Sequence, residues 1–196
     1  MSSLALRLLQ DSDEESFKSA VGEFANDVPP WQFAFDFNPD ADFPSYVTKV
    51  NDWSKGIGVP EGFVPNSFFV GVVNGQIIGR LSLRHELNEF LRSFGGHIGY
   101  GVIPSQRGKG YATEMLRQAL PICAQLGIDQ ALVSCDVDNY ASQKVIERNG
   151  GIFDSITNLA NLKVQKRLYW IYPDWEPLRS VHVGDVTSQH NKLETI

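Results

Sequence analysis

Apolar and polar positions alternate along residues 4–10, LALRLLQ, which reads as a first strand ended by Asp11 or Ser12. Residues 13–26 place Phe17, Ala20, Val21 and Phe24 at helical spacing, with acids in the first turn where the helix dipole favours them. Residues 27–44, DVPPWQFAFDFNPDADFP, carry four prolines, five aromatics and four aspartates and predict a long loop. Loops of that length in compact domains are often functional, and their aromatics must pack over the core or meet substrate. A short helix is expected over 46–55 and an irregular connection over 56–66.

From Ser67 the pattern turns to strands. Residues 68–73 and 76–83 are rich in β-formers and joined by Asn74-Gly75, a hairpin signal. Residues 84–96 read as a polar connection with a helical turn, and 97–103 as a strand stopped by Pro104. Residues 110–126 put Ala112, Met115, Leu116, Ala119 and Cys123 on one helical face, with a kink or break expected at Pro121. Then come a buried strand over 131–137, a short helix over 140–149 ended by Gly150-Gly151, and strands over 152–156 and 163–172. This order of elements predicts one α/β (α+β) domain around a mixed sheet over residues 1–173, followed by a polar, aperiodic tail at 174–196.

Composition is that of an ordinary globular chain of 196 residues, 42% hydrophobic and 20% charged. A net charge of −6 speaks against a nucleic-acid binder, which usually shows a basic stripe, and slightly favours cationic partners such as amines. Cys123 and Cys135 are the two cysteines, so no disulfide framework is implied and a reducing compartment is the simple expectation. The N-terminal apolar stretch is too short for a signal peptide, and no run approaches a membrane span. The expected location is cytoplasmic.

Chemistry concentrates in residues 100–112, YGVIPSQRGKGYA: strand, glycine-rich turn, helix. Gly108 and Gly110 let the backbone approach a ligand, and the following helix presents unpaired N–H groups and the positive end of its dipole. Arg107 and Lys109 add charge there. The stretch lacks the spacing of a nucleotide P-loop, and with Thr113 third after Gly110 it lacks the dinucleotide fingerprint. On local physics it is a phosphate cradle or a tight connection. His85-Glu86 has no second His at metal-ligand spacing and the cysteines are far apart, so no metal site is expected. No Gly-x-Ser-x-Gly elbow appears.

Arg107-Gly-Lys-Gly110-Tyr-Ala112 resembles the [QR]-x-x-G-x-[GA] signature of the GCN5-related N-acetyltransferases, and CDVDNYASQKVIERNGG resembles that family's second motif through Asn139, Ser142 and Gly150. RHELNEFL and RLYWI look like a bacterial subgroup of it. The resemblance covers at least residues 67–172. It implies a mostly antiparallel, twisted mixed sheet of about seven strands flanked by helices, and acetyl-CoA as co-substrate. The pantetheine arm would pair with the backbone of Tyr100, Gly101 and Val102. The pyrophosphate would sit on N–H groups across Arg107, Gly108, Lys109, Gly110, Tyr111 and Ala112, with Asn139 and Ser142 beside the arm. Glycines 99 and 101 are compatible with a bulge that splays the strand.

The reaction this implies is direct attack of a primary amine, of a small molecule or a peptide, on the thioester. A general base is needed for a lysine-like amine, and a strand-end N–H near Val102 is a candidate oxyanion donor. His97, on the cofactor strand, is the first candidate base; His85 and Glu86 follow. The tyrosine that often protonates the leaving thiolate is replaced by Ile146, leaving Tyr140, Tyr100 and Cys135 as acid candidates. That replacement supports a rival reading, a non-catalytic acyl-CoA-binding or regulatory module, and a nucleotide-binding domain is a third. Sheet edges in this fold often pair into homodimers.

Overall fold

A computed structural model describes residues 3–28, 33–158 and 164–173. Trp31 of the aromatic loop, Lys163 and the tail from residue 174 lie outside the described residues. Strand β1 (Ala5–Leu8) is followed by α1 (Glu14–Ala25) and α2 (Phe43–Asp52), then β2 (Asn66–Val73) and β3 (Gln76–Arg84). The chain continues through β4 (Ile98–Val102), α3 (Tyr111–Gln125), β5 (Ala131–Asp136), α4 (Tyr140–Arg148), β6 (Ile152–Asn158) and β7 (Gln165–Ile171). The seven strands form one sheet in the order β1-β2-β3-β4-β5-β7-β6. Every neighbouring pair is antiparallel except β4 and β5, which run parallel.

The hairpin forms where Asn74-Gly75 lies: both residues take positive φ, 51° and 77°, as a type I′ turn requires. Helix α2 begins three residues earlier than its apolar spacing suggests. Asp42 caps it by accepting from the Ser45 N–H at 2.9 Å, and Pro44 occupies the first turn, where its missing N–H costs nothing. The expected break at Pro121 does not occur. Pro121 and Arg117, the residue four before it, are both exposed, so the carbonyl left without its helical partner lies on the solvent side. A π-helical turn at Leu91–Gly95 occupies the polar connection between β3 and β4.

Alternation divides the core between the two faces of the sheet. Phe69, Leu81, Leu83, Ile98, Val133 and Tyr169 point to one face and pack against Met115, Leu116, Ala119 and Cys123 of α3 and Ile146 of α4. Phe68, Val70 and Val72 point to the other, under Phe17 and Phe24 of α1 and Tyr46, Val47 and Val50 of α2. Most of the loop aromatics end here: Phe17 is ringed by Phe33, Phe37 and Phe43 with centroids 5.1–5.5 Å away. That packing fixes the first two helices over one face and leaves the other to α3 and α4.

Candidate active site

The parallel pair β4–β5 opens a gap in the middle of the sheet. The two strands hold register at a single pair, Ile98 with Val133, and then diverge. On its other side β4 stays paired with β3 without interruption, from Leu83 with Ile98 to Gly79 with Val102. The bulge suggested by Gly99 and Gly101 is therefore absent, and the opening arises because β5 turns instead to β7, with which it pairs along its whole length. The Ile103 N–H bonds to Ile78 O and the Arg84 N–H to His97 O, which fixes the alternation. Backbone groups of Gly99 and Gly101 face β3, while those of Tyr100 and the Val102 N–H face the gap. Of the three residues expected to pair with the arm, Tyr100 and Val102 offer their backbone and Gly101 does not.

Beyond β4 the chain makes a tight turn at Pro104–Gln106 and reaches α3 through two glycines at positive φ, 76° at Gly108 and 82° at Gly110. A Cβ at either glycine would meet nothing within 4 Å, so the turn is open outward. Gly110 is the helix N-cap and supplies no side-chain cap, so the first-turn N–H groups of Tyr111, Ala112 and Thr113 are left for a ligand or water. Tyr111 and Ala112 are half-buried against the core, which turns their side chains inward and anchors the cradle. Lys109 Nζ donates to Gln106 Oε1 at 2.8 Å on the exposed side. Arg107 is committed elsewhere. Its Nε donates to Val102 O at 3.1 Å, and its guanidinium pairs with Asp27 at the end of α1. It braces the turn, and Lys109 is the cation that faces outward.

On the far side of the gap Asn139 caps α4, its Oδ1 accepting from the Ser142 N–H at 3.0 Å. The exposed amide nitrogen of the same side chain remains a donor. Tyr100 and Ser142 share a hydroxyl hydrogen bond at 2.8 Å, tying β4 to α4 across the opening. Burial raises the Tyr100 phenol above its ordinary value, the Ser142 bond working against that, so the phenol stays protonated. Cys135 lies on the same face with its thiol pushed up to about 11 by burial. Ile146 is wholly buried in the core beneath them.

Of the three acid–base candidates, His97 and Glu86 border one cavity and Tyr140 lies apart. His97 sits at the closed end of the gap, 8% exposed, with Nδ1 accepting from the Leu132 N–H at 2.9 Å. That bond assigns the proton to Nε2. Burial, then Arg92 and Arg84, depress its pKa to about 4, so the ring is neutral at ordinary pH and Nε2 is a donor. Glu86 is exposed and borders a cavity of about 370 Å³ with His85, Arg92, His97 and Asp129. His85 Nε2 is engaged with Ser67 Oγ at 2.9 Å. Tyr140, the first residue of α4, is 69% exposed.

A second cavity, about 190 Å³, opens on the α1/α2 face beside Gly99 and is lined by Phe35, Phe63, Asn66, Ser82, Arg84 and Phe90 among others. Sequence reasoning passed over Arg80, Ser82 and Arg84. Their signal was the period-two polar series in an otherwise apolar strand, GRLSLR, which places three polar side chains on one face of β3. Among the described residues no three His, Cys, Asp or Glu side chains are placed to hold a metal, and no helix is long and apolar enough to cross a membrane.

The gap between the parallel strands leads to an open glycine turn at a helix N-terminus, an arrangement that suits a diphosphate. The family model of the acetyltransferase (GNAT) domain matches residues 3–152. The chain belongs to that family, and is by class an acetyl-CoA-dependent N-acyltransferase. Its fold is similar to the ribosomal-protein-S5-alanine acetyltransferase of Vibrio fischeri, with TM-score 0.67 and 18% identity over 90% of this chain and 97% of that one. It is also similar to Mycobacterium smegmatis RimJ in complex with CoA-disulfide, with TM-score 0.64 and 19% identity over 86% and 81%. A third is the Salmonella typhimurium acetyl transferase that modifies the N-terminal serine of ribosomal protein L7/L12, with TM-score 0.61 and 19% identity over 88% and 96%. The curated proteins contain no match to the sequence.

Proposed function

We propose that this protein transfers an acetyl group from acetyl-CoA to a peptide or protein α-amine, by direct attack in the gap between β4 and β5. The observation that carries the reading is the opening itself: one register pair, then unpaired strand backbone leading to Gly108 and Gly110. The residues fit the cofactor in kind. Backbone of Tyr100 and Val102 suits the amides of a pantetheine arm as an added strand would. The outward N–H groups from Gly108 to Thr113, with Lys109, suit a diphosphate. The Asn139 amide nitrogen is a further donor beside the arm.

The acceptor class follows from the state of His97. It has one nitrogen engaged and a pKa of about 4, so it is a poor base near neutrality. With His97 in that state, an amine that is already partly neutral is favoured. At pH 7 an α-amine with pKa 7.7–8.0 is about a tenth to a sixth deprotonated, whereas a lysine side chain at 10.4 is deprotonated in about one molecule in 2,500. Two structurally similar enzymes carry names that give a ribosomal-protein alanine or N-terminal serine as acceptor, which agrees with a protein α-amine. For the departing sulfur, the protonated Tyr100 hydroxyl is the donor at hand, standing in for the tyrosine that Ile146 replaces.

The test is release of free CoA with a panel of acceptors. Short peptides with a free N-terminus should turn over, and the same peptides with a blocked N-terminus and an internal lysine should not. Equal turnover of both sets would overturn the α-amine assignment. CoA release from neither, with acetyl-CoA still bound, would favour the non-catalytic reading.

A further inference from the structure

The smaller cavity is walled by phenylalanines, and its polar floor carries a cation and no carboxylate. Phe35, Phe63 and Phe90 form the walls; Asn66, Ser82 and Arg84 come up from the sheet. Arg84 lies directly above the start of the gap: a Cβ built at Gly99 would be 3.6 Å from each of its terminal nitrogens. Gly99 has no side chain to cover it, so the guanidinium stands over the closed end of the β4–β5 opening, on the face opposite Tyr100 and α4.

Arg84 takes part in none of the ion pairs among the described residues. Its Nη1 donates to the carbonyls of Gly95 and Gly96 at 3.2 and 3.1 Å. These bonds fix the head group and leave its charge uncompensated. A largely buried guanidinium without a carboxylate is costly to maintain, and an anion brought to it gains charge-assisted hydrogen bonds that a surface lysine would not supply. Asn66, directly across the β2–β3 ladder from Arg84, has an Oδ1 that is buried with no hydrogen-bond partner, and it borders the same cavity.

The geometry points to Arg84 as the anchor for a carboxylate that the acetyl acceptor carries close to its amine. This rests on the transferase reading above. The cavity holds roughly one side chain beside the amine, so the carboxylate belongs to the first or second residue of a peptide, or is the α-carboxylate of a free amino acid. The chain's net charge of −6 would disfavour such a ligand at long range, which makes a local cation the element able to select it. The Arg84 guanidinium itself disfavours the ammonium form of the incoming amine and so favours the neutral nucleophile.

The experiment measures kcat/KM by CoA release for matched acceptors. The pairs are an Ala-Asp against an Ala-Asn peptide amide, an Asp-Ala against an Asn-Ala peptide amide, and alanine against alaninamide. In the wild type, the carboxylate member of at least one pair should be favoured about tenfold, chiefly through KM, as loss of one charged hydrogen bond implies. Which pair responds separates a peptide side chain from a free α-carboxylate. Arg84→Gln should bring that ratio toward one, and Arg84→Lys should retain part of it. Ratios near one in the wild type, a comparison needing no variant, would overturn the inference. So would an Arg84→Gln enzyme that loses activity on both members equally, since a purely structural arginine would do that. Absence of turnover with every acceptor would contradict the transferase reading itself, and the inference would fall with it.

Discussion

Replacing His97 by glutamine distinguishes a buried, hydrogen-bonded imidazole from a general base. Glutamine keeps an acceptor for the Leu132 N–H and removes the titration. Burial, with Arg92 and Arg84, holds the folded pKa at about 4 against an ordinary 6.5. The unfolded chain therefore takes up a proton below about pH 6.5 and the folded chain only below about pH 4. Stability from this residue is full above pH 6.5 and drains away as pH falls through that window. The gap corresponds to on the order of 3 kcal/mol, and the open cavity beside the ring reduces it to about 2 kcal/mol. His85, also lowered chiefly by burial, adds in the same direction, while Arg84, Arg92, Glu86 and Asp129 stay in place in both proteins. The assay is urea unfolding followed by tryptophan fluorescence at pH 7 and pH 4.5. Wild type should lose about 2 kcal/mol more than His97→Gln between the two. The variant should also keep a kcat/KM profile that follows the acceptor amine. Identical pH dependence of stability would refute the burial argument. A well-folded His97→Gln enzyme that loses about 10²-fold in kcat, with an acid limb near pH 6.5 abolished, would make His97 the base after all.

Three further outcomes are expected. Tyr100→Phe should lower kcat by about 10²-fold with little change in KM for acetyl-CoA, because it removes the donor to the leaving sulfur; Ser142→Ala, which breaks the same 2.8 Å bond but keeps the phenol, should cost far less in steady-state kinetics. Asn139→Ala should destabilise the fold by about 1 kcal/mol through loss of the α4 cap and also weaken acetyl-CoA binding, whereas Asn139→Asp should restore stability in thermal melts without restoring affinity. Gly151→Ala should cost about 1–3 kcal/mol by overpacking, since its Cβ would lie 2.9 Å from Ile146 O and closer still to the Ile146 side chain, and chemical denaturation will show it.

Much of this site was legible because its signals are local. Asn74-Gly75, the glycines of the turn and Gly150 each mark a positive φ, and the structure has all of them. Alternation along β4 likewise places His97, Gly99 and Gly101 opposite Ile98, Tyr100 and Val102. The contacts that local signals leave out depend on partners distant in sequence. The Arg107 side chain is held by Asp27, eighty positions earlier. His97 receives the Leu132 N–H on its Nδ1. Gly99 and Gly101 suggest a bulge, yet the opening is made by β5 choosing β7, a pairing written in neither strand alone. Pro121 suggests a kink or break, yet it sits on an exposed face where the lost hydrogen bond is cheap, and Pro44, counted with the loop, sits in the first turn of α2.

The central claim is that the open glycine turn at the start of α3 holds the cofactor's diphosphate, and calorimetric titration of acetyl-CoA into wild type, Gly110→Ala and Gly110→Glu tests it most directly. A Cβ at Gly110 meets no atom within 4 Å, so both side chains start outward from the core, and the alanine variant accounts for the strain of a side chain at φ 82°. The account predicts binding to wild type, a modest loss in Gly110→Ala, and a further loss of at least tenfold in Gly110→Glu as the carboxylate repels the phosphates. Wild-type binding that Gly110→Glu leaves unchanged, or no binding of acetyl-CoA to the wild type at millimolar concentration, would contradict it.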